Sequence, residues 1–195
     1  MATTYFGYCD PDTGAPSGIV TCNTGQEIDW ITAGYACPGT GSQNVITLGV
    51  YHESGSAVNV NLAIYAGTTL IAYGTSKKTA VITQSWTSWS NAELTWVVGT
   101  TLTGGTTYKL VLASASNSSP GGTTGLASGT SKYQGGDYTD TPASPLPAGT
   151  NYTHEISIRC GVEPAAGGGG ADTAKKRMSA THLLVPSFPM AILPD

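Results

Sequence analysis

The sequence predicts an all-β fold, an antiparallel two-sheet β-sandwich of jelly-roll type, with an irregular N-terminal lead-in and an extended C-terminal arm. Three observations carry that expectation. Apolar residues recur with a period of two in short runs, as they do on half-buried strands. Gly-, Ser- and Asn-rich turns separate those runs. No stretch repeats its apolar residues at helical spacing over a respectable length. About eight short strands of this kind need two packed layers to bury their apolar faces, and a closed barrel is the competing architecture.

Residues 1–44 read as the irregular lead-in, punctuated by Pro11, Pro16 and Pro38, with "EIDWITAGYAC" offering a short strand that closes one end of the sandwich. The sandwich itself is expected over 45–162. In "VITLGVYH", Ile46, Leu48, Val50 and His52 share a face, and "ESGSA" reads as a hairpin loop to the next strand. In "VNVNLAIY", Val58, Val60, Leu62 and Ile64 point one way, with Asn59, Asn61 and Tyr65 opposite. "TLIAYG", "TAVITQSW" and "ELTWVV" follow. "LTGGTTYKLVLA" turns at Gly104-Gly105 and places Tyr108, Leu110 and Leu112 inward. "TSKYQGG" is a weak strand after a long loop. In the last strand, "NYTHEISIRCGV", Ile156, Ile158 and Cys160 face in while Glu155, Ser157 and Arg159 face out. Residues 163–174 form a Gly-rich linker. Residues 175–195 form a basic and apolar arm, kept extended by Pro186, Pro189 and Pro194.

Composition narrows the function. Only 10% of residues are charged, and Ser and Thr outnumber them more than twofold, which gives a neutral surface solubilised by hydroxyls. A net charge of −4 offers no footprint for gripping nucleic acid. No apolar run approaches the roughly 20 residues of a membrane span. The N-terminus lacks the basic and apolar regions of a secretory signal. A chain made in a cytoplasm yet carrying an extracellular type of surface fits a phage virion protein.

Catalytic residues are not expected, and the chain is read as a non-enzyme. His52, His154 and His182 are scattered, and His52-Glu53 and His154-Glu155 place their side chains on opposite faces of a strand. No cofactor is expected. Structural calcium would have Asp10 and Asp12, or Asp137 and Asp140, as ligands, but those residues suit turn initiation better. Cys9, Cys22, Cys37 and Cys160 lack the C-x-x-C spacing of a zinc site. They read either as disulfide partners, Cys37 with Cys160 and Cys9 with Cys22, or as buried thiols.

Two binding surfaces are candidates. The first is a glycan platform of Trp89, Tyr133 and Tyr138. Trp86 and Trp89 fall on opposite faces of their strand, so one is core and the other is exposed or at an edge. The second is an assembly contact in the arm, with Lys175, Lys176 and Arg177 as anchor and Leu183, Leu184, Phe188, Met190 and Ile192 as apolar contacts on a neighbouring subunit.

The runs "ITLGVYHESGSAVNVNLAIYAGTTLIAYGTS", "GTTYKLVLA" and "SPLPAGTNYTHEISIRCGVE", with a tryptophan near Trp86, resemble jelly-roll modules of tailed-bacteriophage virion proteins and bacterial surface proteins. The tail is similar to C-terminal segments of small proteins from phage structural gene regions. The resemblance implies a non-enzymatic virion structural protein, a head decoration or cement protein or a head-associated fibre, exposed on the virion exterior after synthesis in the bacterial cytoplasm. Its partners would be the major capsid protein or other virion subunits, and further copies of itself in a homo-oligomer. The alternatives are a carbohydrate-binding or adhesive module, and an extracellular filament subunit assembled by strand or arm exchange.

Overall fold

A computed structural model describes residues 2–8, 18–19, 28–54, 59–78, 85–115, 119–123, 131–135, 141–152 and 155–166. Its strands, in chain order, are β1 (Thr4–Tyr8), β2 (Gly18–Ile19), β3 (Ile28–Ala36), β4 (Ser42–Ser54), β5 (Asn59–Ala66), β6 (Thr69–Gly74), β7 (Lys77–Lys78) and β8 (Ser85–Ser90). Then come β9 (Leu94–Trp96), β10 (Leu102–Thr103), β11 (Thr107–Ser114), β12 (Ser119–Thr123), β13 (Ser131–Gly135), β14 (Thr150–Tyr152), β15 (Glu155–Ile156) and β16 (Ile158–Pro164). Among the described residues, a 3₁₀ turn, Asn91–Glu93, joins β8 to β9, and no α-helix occurs.

The strands form two antiparallel sheets packed as a sandwich. The first runs β1-β16-β4-β12-β15, with β8 and β10 also on β4 and β2 on β12; the second runs β14-β13-β3-β11-β5-β6-β9, with β7 on β5. The two-sheet all-β architecture expected from the sequence is therefore the one found. The core lies between the sheets, where Leu48 and Val50 of β4 and Ile158 and Cys160 of β16 meet Val60, Leu62 and Ile64 of β5 and Leu110 and Leu112 of β11.

The lead-in is not a separate irregular arm. Its β1 pairs with β16 from Thr4↔Val162 to Tyr8↔Ile158, and its β3 lies between β11 and β13 inside the second sheet. Pro38, Gly39 and Gly41 lie in the bends between β3 and β4, and the strands of this region are bound by partners more than sixty residues away. The sandwich thus spans Thr4 to Pro164. Likewise, "ESGSA" does not close a hairpin, because β4 and β5 belong to different sheets. A turn signal announces that two strands follow one another; it does not say that they pair. The tight hairpin of this region lies one step later, where Ala66↔Thr69 closes a two-residue turn between β5 and β6. The Gly104-Gly105 turn likewise links β10 of the first sheet to β11 of the second. Gly105 takes a φ of 79° there, a left-handed conformation that costs glycine little.

Ile46 is exposed, although alternation from Leu48 puts it inside. The β4–β16 register shifts between Gly161 and Val162, so Val45 turns into the core and Ile46 outward. The far side of the second sheet is also covered. Ala63, Tyr65, Leu70 and Val111 form a smaller cluster under Leu146, and the Tyr65 hydroxyl donates to the Ala143 carbonyl at 2.6 Å. Tyr65, expected on an outward face, is thereby buried by a loop that alternation alone does not reveal.

Candidate recognition surface

The outer face of the first sheet brings together side chains from four adjacent strands, β1, β16, β4 and β8. Alternation decides which residues reach it. In β1, Phe6 is buried and Tyr5 points out; in β16, Ile158 and Cys160 are buried and Arg159 points out; in β8, Trp89 is buried and Trp86 is half-exposed. Tyr51 stands directly across from Trp86, and Arg159 across from Gly49.

These side chains form a stacked strip. The Arg159 guanidinium carbon lies 3.9 Å from the Trp86 ring centroid and 4.8 Å from that of Tyr5. Tyr51 meets Trp86 edge-on, with centroids 5.5 Å apart at 65°. A cation between aromatic faces is attracted by both ring quadrupoles. The sheet beneath the strip carries glycines at Gly49 and Gly161, which leave room for its side chains. A Cβ on Gly161 would stand 2.8 Å from Tyr5 Cε1 and 2.9 Å from Thr47 Cγ2, and one on Gly49 would stand 2.7 Å from Ser88 Oγ and 3.2 Å from Trp86 Cε3. At the border, the Thr3 hydroxyl donates to Glu163 at 2.6 Å. Tyr5 is 43% exposed and Ile46 39%, so the face offers apolar surface to a partner. Tyr, Trp and Arg are the residues that dominate binding hot spots, and rings already held by their neighbours lose little freedom when a ligand docks.

The sequence-nominated platform residues do not assemble here. Trp89 is fully buried, so it is not a ligand platform; this corrects its nomination. Its β-partner is the core residue Leu48, which fixes the parity of β8 with Trp89 inside and Trp86 outside. The Trp89 indole N–H donates to the Thr75 carbonyl at 2.6 Å, and Lys77 lies 5.3 Å from its ring. Tyr133 lies in β13 of the second sheet, opposite Trp30 and Thr150, and so belongs to the other layer. Tyr138, Cys9, Cys22, Asp10, Asp12, Asp137, Asp140 and His154 lie outside the described residues, as do the arm residues Lys175, Lys176, Arg177, Leu183, Leu184, Phe188, Met190 and Ile192. Cys37 and Cys160 are buried free thiols. Tyr5, Tyr51 and Arg159 were not legible as a group, because they meet only through the register of distant strands.

Polar groups inside the sandwich have their own electrostatics. Glu155, expected to face out, is buried against β3, and burial raises its carboxyl to about 7. Its oxygens complete no hydrogen bond, although the Tyr35 hydroxyl and the Ala33 amide face it and favour the charged form. His52 is buried too, and desolvation lowers it to about 4. Outside the core, Glu93 falls to about 2, held first by the Lys77 ammonium 2.6 Å away and then by the Ser90 amide and hydroxyl. Among the described residues, no three His, Cys, Asp or Glu side chains form a group that could hold a metal ion, and no helix is long and apolar enough to cross a membrane.

Fold and surface together define a two-sheet antiparallel β-sandwich with an aromatic and cationic strip on one face. No protein-family model matches the chain, and neither a curated protein nor a solved structure matches it.

Proposed function

We propose that the chain is a non-enzymatic binding module that recognises carbohydrate through the outer face of its first sheet. The observation that carries this reading is the strip Tyr5–Arg159–Trp86–Tyr51 packed over Gly49 and Gly161. A pyranose presents C–H groups on its faces and hydroxyls around its rim. Aromatic faces suit the former, while the neighbouring hydroxyls of Thr47, Ser88 and Ser90 and the Arg159 guanidinium suit the latter. A site on the outer face of a sheet suits a polymer more than a small metabolite, which prefers a concave pocket. The test is a glycan array probed with the wild-type chain and with Trp86→Ala and Tyr5→Ala. Binding lost in both variants, with an unchanged circular dichroism spectrum, supports the reading; no binding by the wild type overturns it.

A second reading is favoured by the sequence after β16, where a glycine run leads to a basic and apolar, proline-broken arm. It makes the chain a structural subunit of a tailed-phage virion, a head decoration or fibre protein that grips its neighbours by its terminal segments. Weak contacts repeated over a lattice would then add through multivalency. Virions whose proteome by mass spectrometry lacks this chain would exclude that setting while leaving the sugar-binding face to its own test.

A further inference from the structure

Arg159 stands at the centre of the aromatic strip. Gly7 of β1, Arg159 of β16, Gly49 of β4 and Ser88 of β8 follow one another in register across the first sheet. Two of these carry no side chain and one only a hydroxymethyl, so Arg159 is the one long side chain of its row. It crosses β4 at Gly49, where a Cβ would stand 3.2 Å from Trp86 Cε3, and brings its guanidinium carbon 3.9 Å from the Trp86 centroid. On its other side the Tyr5 centroid lies 4.8 Å away. β1 and β8 contain no charged residue, and the two in β16 are Arg159 and Glu163. The Glu163 carboxyl accepts the Thr3 hydroxyl at the border of the strip. The charge set between the rings is therefore positive.

We infer that the carbohydrate recognised by this face is acidic, a uronate polymer whose carboxylate bonds to Arg159 while its C–H faces pack on the neighbouring rings. The inference rests on the sugar-binding reading and adds the class of sugar.

The chemistry of the two groups carries it. A guanidinium presents its N–H donors in a planar fork, enough of them for contacts within the protein and for a carboxylate together. Bonds of this kind to an anion are roughly twice as strong as those to a neutral hydroxyl. Trp86 and Tyr5 hold the Arg159 head beforehand, so little side-chain freedom is lost when a ligand docks. The strip also spans β1, β16, β4 and β8, about 14 Å at the usual strand spacing, which exceeds one sugar ring and suits an oligomer. A densely sulfated polymer fits less well, because it would approach a chain of net charge −4.

The experiment is isothermal titration of the full chain with oligogalacturonate, oligomannuronate and oligoglucuronate, each beside its methyl ester. Dextran sulfate and the neutral glycans of the array complete the set. At least one uronate is expected to bind, about 10-fold or more tighter than its ester, and to weaken as added salt rises. Arg159→Gln should abolish the preference and bind acid and ester alike, with an unchanged circular dichroism spectrum. Arg159→Lys should restore part of it, since an ammonium keeps the charge and loses the fork. Equal binding of acid and ester by the wild type overturns the inference, as does a preference that survives in Arg159→Gln. Dextran sulfate bound more tightly than every uronate also overturns it. Neutral glycans bound with no uronate bound overturn the inference and leave the sugar-binding reading standing, whereas no glycan of either kind bound overturns both. If Arg159→Gln fails to fold, the comparison of acid with ester on the wild type still decides.

Discussion

The indole N–H of Trp89 in β8 donates to the Thr75 carbonyl just beyond β6 at 2.6 Å, tying the first sheet to the second at one edge of the sandwich. The ring is fully buried, so its loss leaves both a cavity and an unsatisfied carbonyl. Trp89→Ala should cost about 3–5 kcal/mol in urea unfolding. Trp89→Phe, which keeps a ring but no donor, should cost about 1–3 kcal/mol.

Trp86 gives the opposite outcome three residues earlier. It is half-exposed, and its contacts with Arg159 and Tyr51 are on the surface. Trp86→Ala should lower stability by only about 1 kcal/mol and should remove sugar binding. Loss of binding in Trp89→Ala with none in Trp86→Ala, for two variants that both remain folded, would contradict the surface assignment.

Glycines beneath rings separate the two roles again. A Cβ at Gly74 would come within 2.7 Å of Trp89 Cγ, where the ring is enclosed on all sides. Gly74→Ala should therefore destabilise by about 1–3 kcal/mol. At Gly49 the near atoms are the rotatable Ser88 Oγ and an edge of the half-exposed Trp86, which can lift. Gly49→Ala should hold the melting temperature within a few degrees and weaken binding, as read by isothermal titration.

Buried Glu155 and His52 make opposite contributions to stability as pH changes. Glu155 has its folded pKa raised from 4.5 to about 7, so its stabilising contribution is complete below pH 4.5 and is lost as pH rises through 7. His52 has its folded pKa lowered from 6.5 to about 4, so its contribution is complete above pH 6.5 and is lost as pH falls through 4. Between pH 4.5 and 6.5 the two slopes cancel. Glu155→Gln should gain on the wild type by about 1.4 kcal/mol per pH unit from 4.5 toward 7. His52→Leu should gain on it as pH falls from 6.5 toward 4. Denaturant titrations across pH 4–8 check both signs, and a pH-independent difference in either variant would contradict the burial of that group.

The sequence made the strands of this fold more legible than their partners. Alternation in "VNVNLAIY" marks β5 correctly, with Val60, Leu62 and Ile64 in the core. Nothing in it says that β4 and β5 part company into different sheets, because pairing depends on residues far along the chain. Ile46 shows a second limit: one bulge reverses the outward parity of a strand, and the bulge is a property of two strands together. The spacing of Trp86 and Trp89 showed that they point opposite ways. Choosing the inward one required Leu48, forty-one positions earlier, which is why the binding strip could not be drawn from the sequence of β8 alone.

Among the described residues β1 pairs with β16 alone, so Thr4 meets Val162 across nearly the whole length of the sandwich sequence. β16 also forms the longest described seam of β4, from Gln43 to Val50. During synthesis, β1 emerges well before β16 and must wait for it before it has an edge to join. Until then the edge of β4 from Gln43 to Val50 lacks its partner. Such long-range closure makes for slow folding and a vulnerable nascent chain. A low content of charged residues leaves little repulsion to keep two waiting chains apart, so timely completion of β16 is itself a protection against misassembly.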